Sequence, residues 1–168
     1  EDKLYSFTNG VECDAKLVTQ EIRVQKAWCR GLLKAGRLEK SEYALASALL
    51  NEFEKQVLVG IFPWHILDED IHMNIESFLS KRAGNLGKKI HLGRSRNDLI
   101  ATTLRLYCSD SCTAQGKLVA KLCQAFDSVS KGPCPIIPGQ SHMQFGQPIA
   151  MSHILNAYNK ALARDLKN

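Results

Sequence analysis

The sequence predicts an all-α fold: a small helical domain over residues 1–94, then the truncated start of a long-helix bundle over residues 95–168. Three observations predict it. Apolar residues recur at steps of three and four through most of the chain. Ser95 to Ser130 contains no proline and a single glycine, Gly116. No run alternates convincingly as a strand would, Lys89-Ile90-His91-Leu92 being at most a short extended piece.

The first helix spans about Leu17 to Lys34, with Leu17, Ile22, Val24, Trp28 and Leu32 as its apolar rhythm. Gly36 follows where a helix end favours a residue tolerant of positive φ. The second spans Lys40 to Val59, where Leu45, Leu49, Phe53 and Val57 repeat every four residues beside Ala46 and Leu50. Gly60 and Pro63 break it. Asp68 is the expected N-cap of a third helix through Lys81, burying Ile71, Ile75, Phe78 and Leu79. Three glycines and three cations make Arg82 to Gly93 read as a loop.

From Ser95 the pattern is one long helix. Its stripe is Leu104, Cys108, Ser111, Gln115, Leu118, Leu122, Phe126 and Val129, with Gln115 as the mismatch. At 1.5 Å per residue such a helix is roughly 50 Å long, the scale of bundles and oligomers rather than of one small core. Self-association is therefore expected. Gly132-Pro133-Cys134-Pro135 ends the helix, Pro138-Gly139 opens a turn, and Pro148 suits the first position of a closing helix through Leu166.

Composition narrows the class. Apolar residues make up 45% and charged residues 23%, which excludes a disordered chain. The longest apolar stretch, Val57 to Trp64, is too short to cross a bilayer. No basic-then-apolar leader opens the sequence, so a soluble, cytoplasmic protein without a membrane partner is expected. Six cysteines lack any C-x-x-C pair and read as small buried thiols in a reducing compartment, not as disulfides or metal ligands.

The net charge of +5 is concentrated. Lys81 to Arg105 holds seven cations and one acid, a local +6. Such a focus attracts an anion: nucleic acid, an acidic lipid surface or a small polycarboxylate. No aromatic residue lies between Phe78 and Tyr107, so no stacking platform for nucleic acid is evident.

Three stretches hold chemistry. In His91-Leu92-Gly93-Arg94-Ser95-Arg96-Asn97-Asp98, Ser95 and Asp98 have the form of a capping box, which directs free N–H groups toward whatever Arg94, Arg96 and Asn97 surround. That suits a carboxylate or phosphate, and equally a capped helix with solvated arginines. In Pro138 to Pro148, Ser141 beside His142, flanked by Gln144 and Gln147, suits either a proton donor or acceptor or a plain polar loop. In Asp68-Glu69-Asp70-Ile71-His72 the acids complement a helix dipole, and Asp70 or His72 is placed to orient a cation of the first stretch. A metal site there lacks a second ligand cluster, so neither metal nor cofactor is expected.

In this order and at these intervals the three stretches resemble the argininosuccinate lyases of the aspartase/fumarase superfamily, with Gly93-Arg94-Ser95-Arg96-Asn97-Asp98 nearly specific to that family. Arg30-Gly31-Leu32-Leu33-Lys34-Ala35-Gly36 is similar to the family's early helix end. The resemblance runs from about residue 17 onward. It implies a homotetrameric lyase that eliminates fumarate from argininosuccinate to leave arginine, in arginine biosynthesis. It further implies that Ser95, Arg96, Asn97 and Arg94 bind substrate, that His142 with Ser141 donates the proton, and that Asp70 and Gln144 touch substrate. His72 and Gln147 would support the pocket. The family's base is a serine on a downstream loop not found in these 168 residues, so the chain alone is expected to be inactive.

Some positions depart from the family pattern. Leu92 stands for threonine, Ser141 for threonine, Gln140 for an aromatic residue and Phe145 for a frequent arginine, while Gln25 takes the place of a substrate-binding serine. These departures leave room for another fumarate-releasing lyase, or for a noncatalytic scaffold like the crystallins derived from this family.

Overall fold

The computed structural model describes residues 7–65 and 67–167. By internal contacts the chain divides into two compact units, residues 1–108 and 109–168. Among the described residues the architecture is helical apart from one two-stranded hairpin and the connecting turns.

The first unit contains a short helix α1 (Val11–Asp14) and a 3-10 turn, then α2 (Val18–Lys34), α3 (Lys40–Leu58), α4 (Ile71–Ala83) and α5 (Asn85–Ile90). Helix α6 (Arg96–Ser130) starts in this unit and continues into the second. Each helix forms where its apolar face finds a partner. Ile22, Cys29 and Leu32 of α2 pack with Ala46, Leu49, Leu50 and Phe53 of α3 and with Ile75, Phe78 and Leu79 of α4. At one end of this core Phe53, Phe62, Trp64 and Phe78 form a ring cluster, with Phe53 and Phe62 centroids 4.4 Å apart. Helix α2 ends at Gly36, whose φ of 68° matches the expected stop. Helix α3 starts with a capping box between Glu39 and Glu42.

Four expectations need correction here. The N-cap of α4 is Asp70, not Asp68, because the Asp70 carboxylate accepts the Met73 N–H at 2.9 Å. Arg82 to Gly93 is not a plain loop: α5 lies within it, since Leu86 and Ile90 fall one turn apart and both are buried. Leu45 is 47% exposed, and the buried face of α3 is centred on Ala46, Leu49, Leu50 and Phe53. Only Cys29 is buried among the cysteines; Cys13, Cys108 and Cys112 are exposed, and all six are free.

The second unit holds the rest of α6, a hairpin of β1 (Ile136–Ser141) and β2 (Gln144–Ala150), and α7 (Met151–Asp165). The segment read as turns and a helix start is therefore a β-ladder, and the closing helix begins at Met151 rather than Pro148. Its register is interrupted between Pro138 and Gln140. Gly139 sits at this bulge, where a Cβ would lie 2.6 Å from Ile149 Cδ1 and 2.8 Å from the Gln147 carbonyl oxygen. In α6 only Leu99 and Thr103 are buried, and Leu104, Leu118, Leu122 and Val129 remain exposed. Phe126 and Tyr158 bring α6 and α7 together, ring centroids 6.4 Å apart.

Candidate functional site

The N-terminus of α6 is built as its sequence dictates. Gly93, at φ 69°, turns the chain, and Ser95 caps the helix: its Oγ accepts the Asn97 N–H at 3.2 Å. Asp98 closes the box by accepting the Ser95 N–H at 3.3 Å. Ser95 and Asn97 are exposed at this tip, free to meet a ligand.

Arg96 is held from below. Its Nη2 donates to Asp70 Oδ1 at 2.7 Å, and its Nη1 lies 3.7 Å from Glu69. Asp70 is itself positioned by Asn74, buried on α4. The Asn74 amide donates to the Asp68 and Asp70 carbonyls, both at 2.9 Å, while its oxygen accepts the His65 N–H. One buried amide thus shapes the whole acidic turn.

His72 does not orient a cation of the tip. Its Nδ1 lies 3.1 Å from Glu21 Oε2, a close polar approach without hydrogen-bond alignment. Glu21 is fully buried and also accepts from Thr103 Oγ1 at 2.6 Å and from Gln25 Nε2 at 2.7 Å. The Gln25 oxygen in turn accepts from Arg94 Nη2 at 3.0 Å. Helices α2, α4 and α6 and the tip are therefore joined through one carboxylate. Asp14 faces the same region: burial raises its pKa, His72 opposes that rise and Asp70 adds to it.

Arg94 is turned back under the tip. Its guanidinium lies 5.8 Å from the Trp28 ring centroid, and its Nε and Nη1 are buried without a hydrogen-bond partner among the described residues. Burial lowers its pKa from the ordinary arginine value, an effect that Glu21 only partly offsets. It lines a cavity of about 250 Å³ together with Gln25, His72, Glu76, His91 and Arg96.

Glu21 and Asp14 were not among the candidate residues of the sequence. For Glu21 a signal existed: Glu21, Gln25 and Cys29 recur every four residues along the buried face of α2, where an acid needs a partner. Asp14, in a short helix entry, gives none.

The first unit thus gathers Asp70, His72, Arg94, Ser95, Arg96 and Asn97 within one constellation. In the second unit Ser141, His142, Gln144 and Gln147 share the hairpin. Ser141 pairs with Gln144 across the ladder, and the turn between them is His142-Met143, at φ 51° and 60°. Two successive non-glycine residues at positive φ are uncommon, and they project His142 at an exposed apex.

The chain matches the Lyase family over residues 1–168. It is 35% identical over 161 residues to an argininosuccinate lyase of Methylococcus capsulatus, covering 95% of this chain and 35% of the relative. Against an argininosuccinate lyase of Geobacter metallireducens it is 38% identical over 160 residues, with the same two coverages. The chain thus spans about a third of the length of the curated relatives it matches. A solved fumarate lyase from Mesorhizobium sp. BNC1 superposes with a TM-score of 0.67 at 18% identity, over 99% of this chain and 38% of that one, and so shares its fold. With a match along its whole length and this shared helical scaffold, the chain belongs to the lyase family.

Proposed function

We propose that these residues are the N-terminal portion of an argininosuccinate lyase, a carbon–nitrogen lyase that releases fumarate from argininosuccinate and leaves arginine. The observation that carries the reading is the capped tip of α6, where Ser95 and Asn97 stand exposed beside an arginine fixed by Asp70. β-Elimination next to a carboxylate builds a second negative charge on that group. Donors fixed before the reaction stabilise this charge more than they stabilise the ground state.

In this reading Ser95, Arg96 and Asn97 hold the substrate carboxylates, and Asp70 both contacts substrate and keeps Arg96 in place. His142, with Ser141 beside it, protonates the departing guanidino nitrogen, and Gln144 contacts substrate from the same hairpin. His72 and Gln147 support their respective stretches. The 168 residues alone do not turn over. The full assembly is a cytoplasmic homotetramer in this reading, and the exposed apolar stripe of α6 supports self-association.

The test is fumarate release by the full-length protein that carries this sequence, offered argininosuccinate and, separately, adenylosuccinate. Turnover of argininosuccinate alone, lost in His142→Asn, is the expected result. Gln25 favours a second reading, another fumarate-releasing lyase, because an amide occupies the place where the family has a substrate-binding serine. Turnover of adenylosuccinate in its stead would establish that alternative, and no turnover or heat of binding with either would leave an inert scaffold.

A further inference from the structure

We propose that Glu21 is a positioning residue for the lyase site: one of its oxygens sets how the tip of α6 stands against the acidic turn that holds Arg96. This rests on the preceding reading of the tip, and adds to it a residue that meets no substrate. Glu21 is fully buried and does not line the cavity beneath the tip.

A single atom meets both helices. Glu21 Oε2 accepts from Thr103 Oγ1 of α6 at 2.6 Å and lies 3.1 Å from His72 Nδ1 of α4. Oε1 accepts from Gln25 Nε2, one turn along α2, at 2.7 Å, which holds the carboxylate in one orientation. Thr103 follows Ser95 by two helical turns, about 12 Å along the axis at 1.5 Å per residue. His72 stands two residues after Asp70, whose carboxylate accepts from Arg96. The donors of the tip and the clamp on Arg96 therefore belong to different helices, and Oε2 is a buried point at which those helices share an atom.

Stability alone does not call for a carboxylate there. The donors hydrogen-bonded to it, Thr103 and Gln25, are neutral, and Arg94 reaches it through the Gln25 amide. A buried carboxylate without a bonded cation is unfavourable, and apolar residues of similar volume often stabilise as well or better. Ile22, Cys29 and Leu32 of the same helix fill the neighbouring core in that way. Apolar contacts leave two helices free to slide by a few tenths of an ångström, whereas a shared hydrogen-bond acceptor does not.

Reach gives the inference its precision. Thr103 is fully buried, so its hydroxyl has no surface water to replace Glu21. Glu21→Asp keeps the charge and withdraws it by one methylene, about 1.5 Å. A shift of about 1 Å in groups that orient a substrate is enough to lower a rate roughly 100-fold. Groups built to hold a site are themselves held by such a second layer of contacts.

The experiment uses the full-length protein that carries this sequence, with argininosuccinate as substrate. Glu21→Asp and Thr103→Val are each expected to lower kcat at least tenfold and to leave KM within threefold, because displaced donors lose most where the second negative charge builds. Thr103→Ser, which restores the hydroxyl, should bring kcat back to within threefold of wild type. Combining Glu21→Asp with Thr103→Val should lose no more than the worse single variant, as two ends of one bond require. Leu49→Ala, in the core on α3, should lose at least as much stability in urea and keep kcat within twofold. Wild-type kcat in Thr103→Val, no recovery in Thr103→Ser, or an equal loss of kcat in Leu49→Ala overturns the positioning role and spares the lyase reading. A wild type without turnover defeats the lyase reading instead, and amide exchange then decides whether Glu21 places the tip. Thr103→Val should speed exchange of Met73 N–H, bonded to Asp70, and of Leu99 N–H, bonded to Ser95, at least tenfold more than Leu49→Ala does. Equal rates in the two variants overturn the proposal.

Discussion

Asp70 Oδ1 receives Arg96 Nη2 at 2.7 Å and the backbone N–H of Met73 at 2.9 Å, so the cap of α4 and the anchor of the α6 tip are one oxygen. Two elements separated in sequence are thereby tied at a single atom. Asp70→Ala should cost about 1–2 kcal/mol, the sum of a lost N-cap and a partly exposed ion pair. Asp70→Asn keeps an acceptor for the cap and should cost about half as much. Urea denaturation of both, with Arg96→Met completing a double-mutant cycle, should give a coupling of about 0.5–1 kcal/mol.

Glu21 carries a larger share of stability. It is fully buried, and removing its carboxylate strands Thr103, Gln25 and His72 in the interior. Glu21→Ala should destabilise by about 3–5 kcal/mol, the range for breaking a buried charged network on one side. Glu21→Gln preserves the shape and an acceptor, and should cost visibly less. Equal losses from the two substitutions, measured by chemical denaturation, would show that packing and not charge is what matters there.

Cys29 gives a pH-dependent outcome. Burial pushes its thiol up to about 11, with Arg94 pulling weakly the other way. In the unfolded chain a thiol ionises near 8.5. Above that pH the unfolded state binds fewer protons than the folded one, so stability is full below about pH 8.5 and falls as pH rises toward 11. Between pH 8 and 10.5 about 2 kcal/mol should be lost through this residue and retained in Cys29→Ala. At pH 8 a thiol reagent should modify the exposed Cys13, Cys108 and Cys112 quickly and leave Cys29 untouched until the chain unfolds.

What the sequence made legible follows from where apolar burial controls the backbone. Ile71, Ile75, Phe78 and Leu79 define α4 by spacing alone, and all four are buried. The box of Ser95 and Asp98 is local chemistry, readable without knowing the rest of the fold. The hairpin was hidden because its strands carry Pro138, Gly139, Gly146 and Pro148 and expose most of their residues, leaving no period to detect. Helix α5 was masked by Gly87, Lys88 and Lys89 within it and by Gly84 before it, although Leu86 and Ile90 are spaced as helix partners. The inward turn of Arg94 depends on Gln25 and Trp28, far away in sequence, and no local pattern announces it.

The hairpin apex stores strain that substitution should release. His142 and Met143 occupy positive φ without being glycine, and Met143 is 92% exposed with no packing to hold it there. A left-handed residue with a Cβ costs about 1–2 kcal/mol, part of which glycine returns through its greater freedom when unfolded. Met143→Gly should therefore stabilise the hairpin by up to about 1 kcal/mol, read from amide exchange in β1 and β2. Gly139→Ala should do the reverse, because its Cβ has no room against Ile149 and Gln147.

The stripe of α6 makes a prediction about assembly. Leu118 and Leu122 are 59% and 44% exposed, and Leu104 and Val129 lie on the same run at 49% and 55%. Tyr158 of α7 meets Phe126, yet these leucines stay uncovered. Apolar surface arranged along one long helix gains by association, at about 25 cal/mol for each Å² removed from water. The purified chain should accordingly sediment above its monomer mass of 18.7 kDa, increasingly so at higher concentration. Leu118→Glu with Leu122→Lys places charges on that seam without touching the buried Leu99 or Thr103, so the first unit should keep its fold and its helical signal. Those variants should run as monomers in light scattering. A wild-type chain already monomeric at high concentration would mean that this stripe does not drive association.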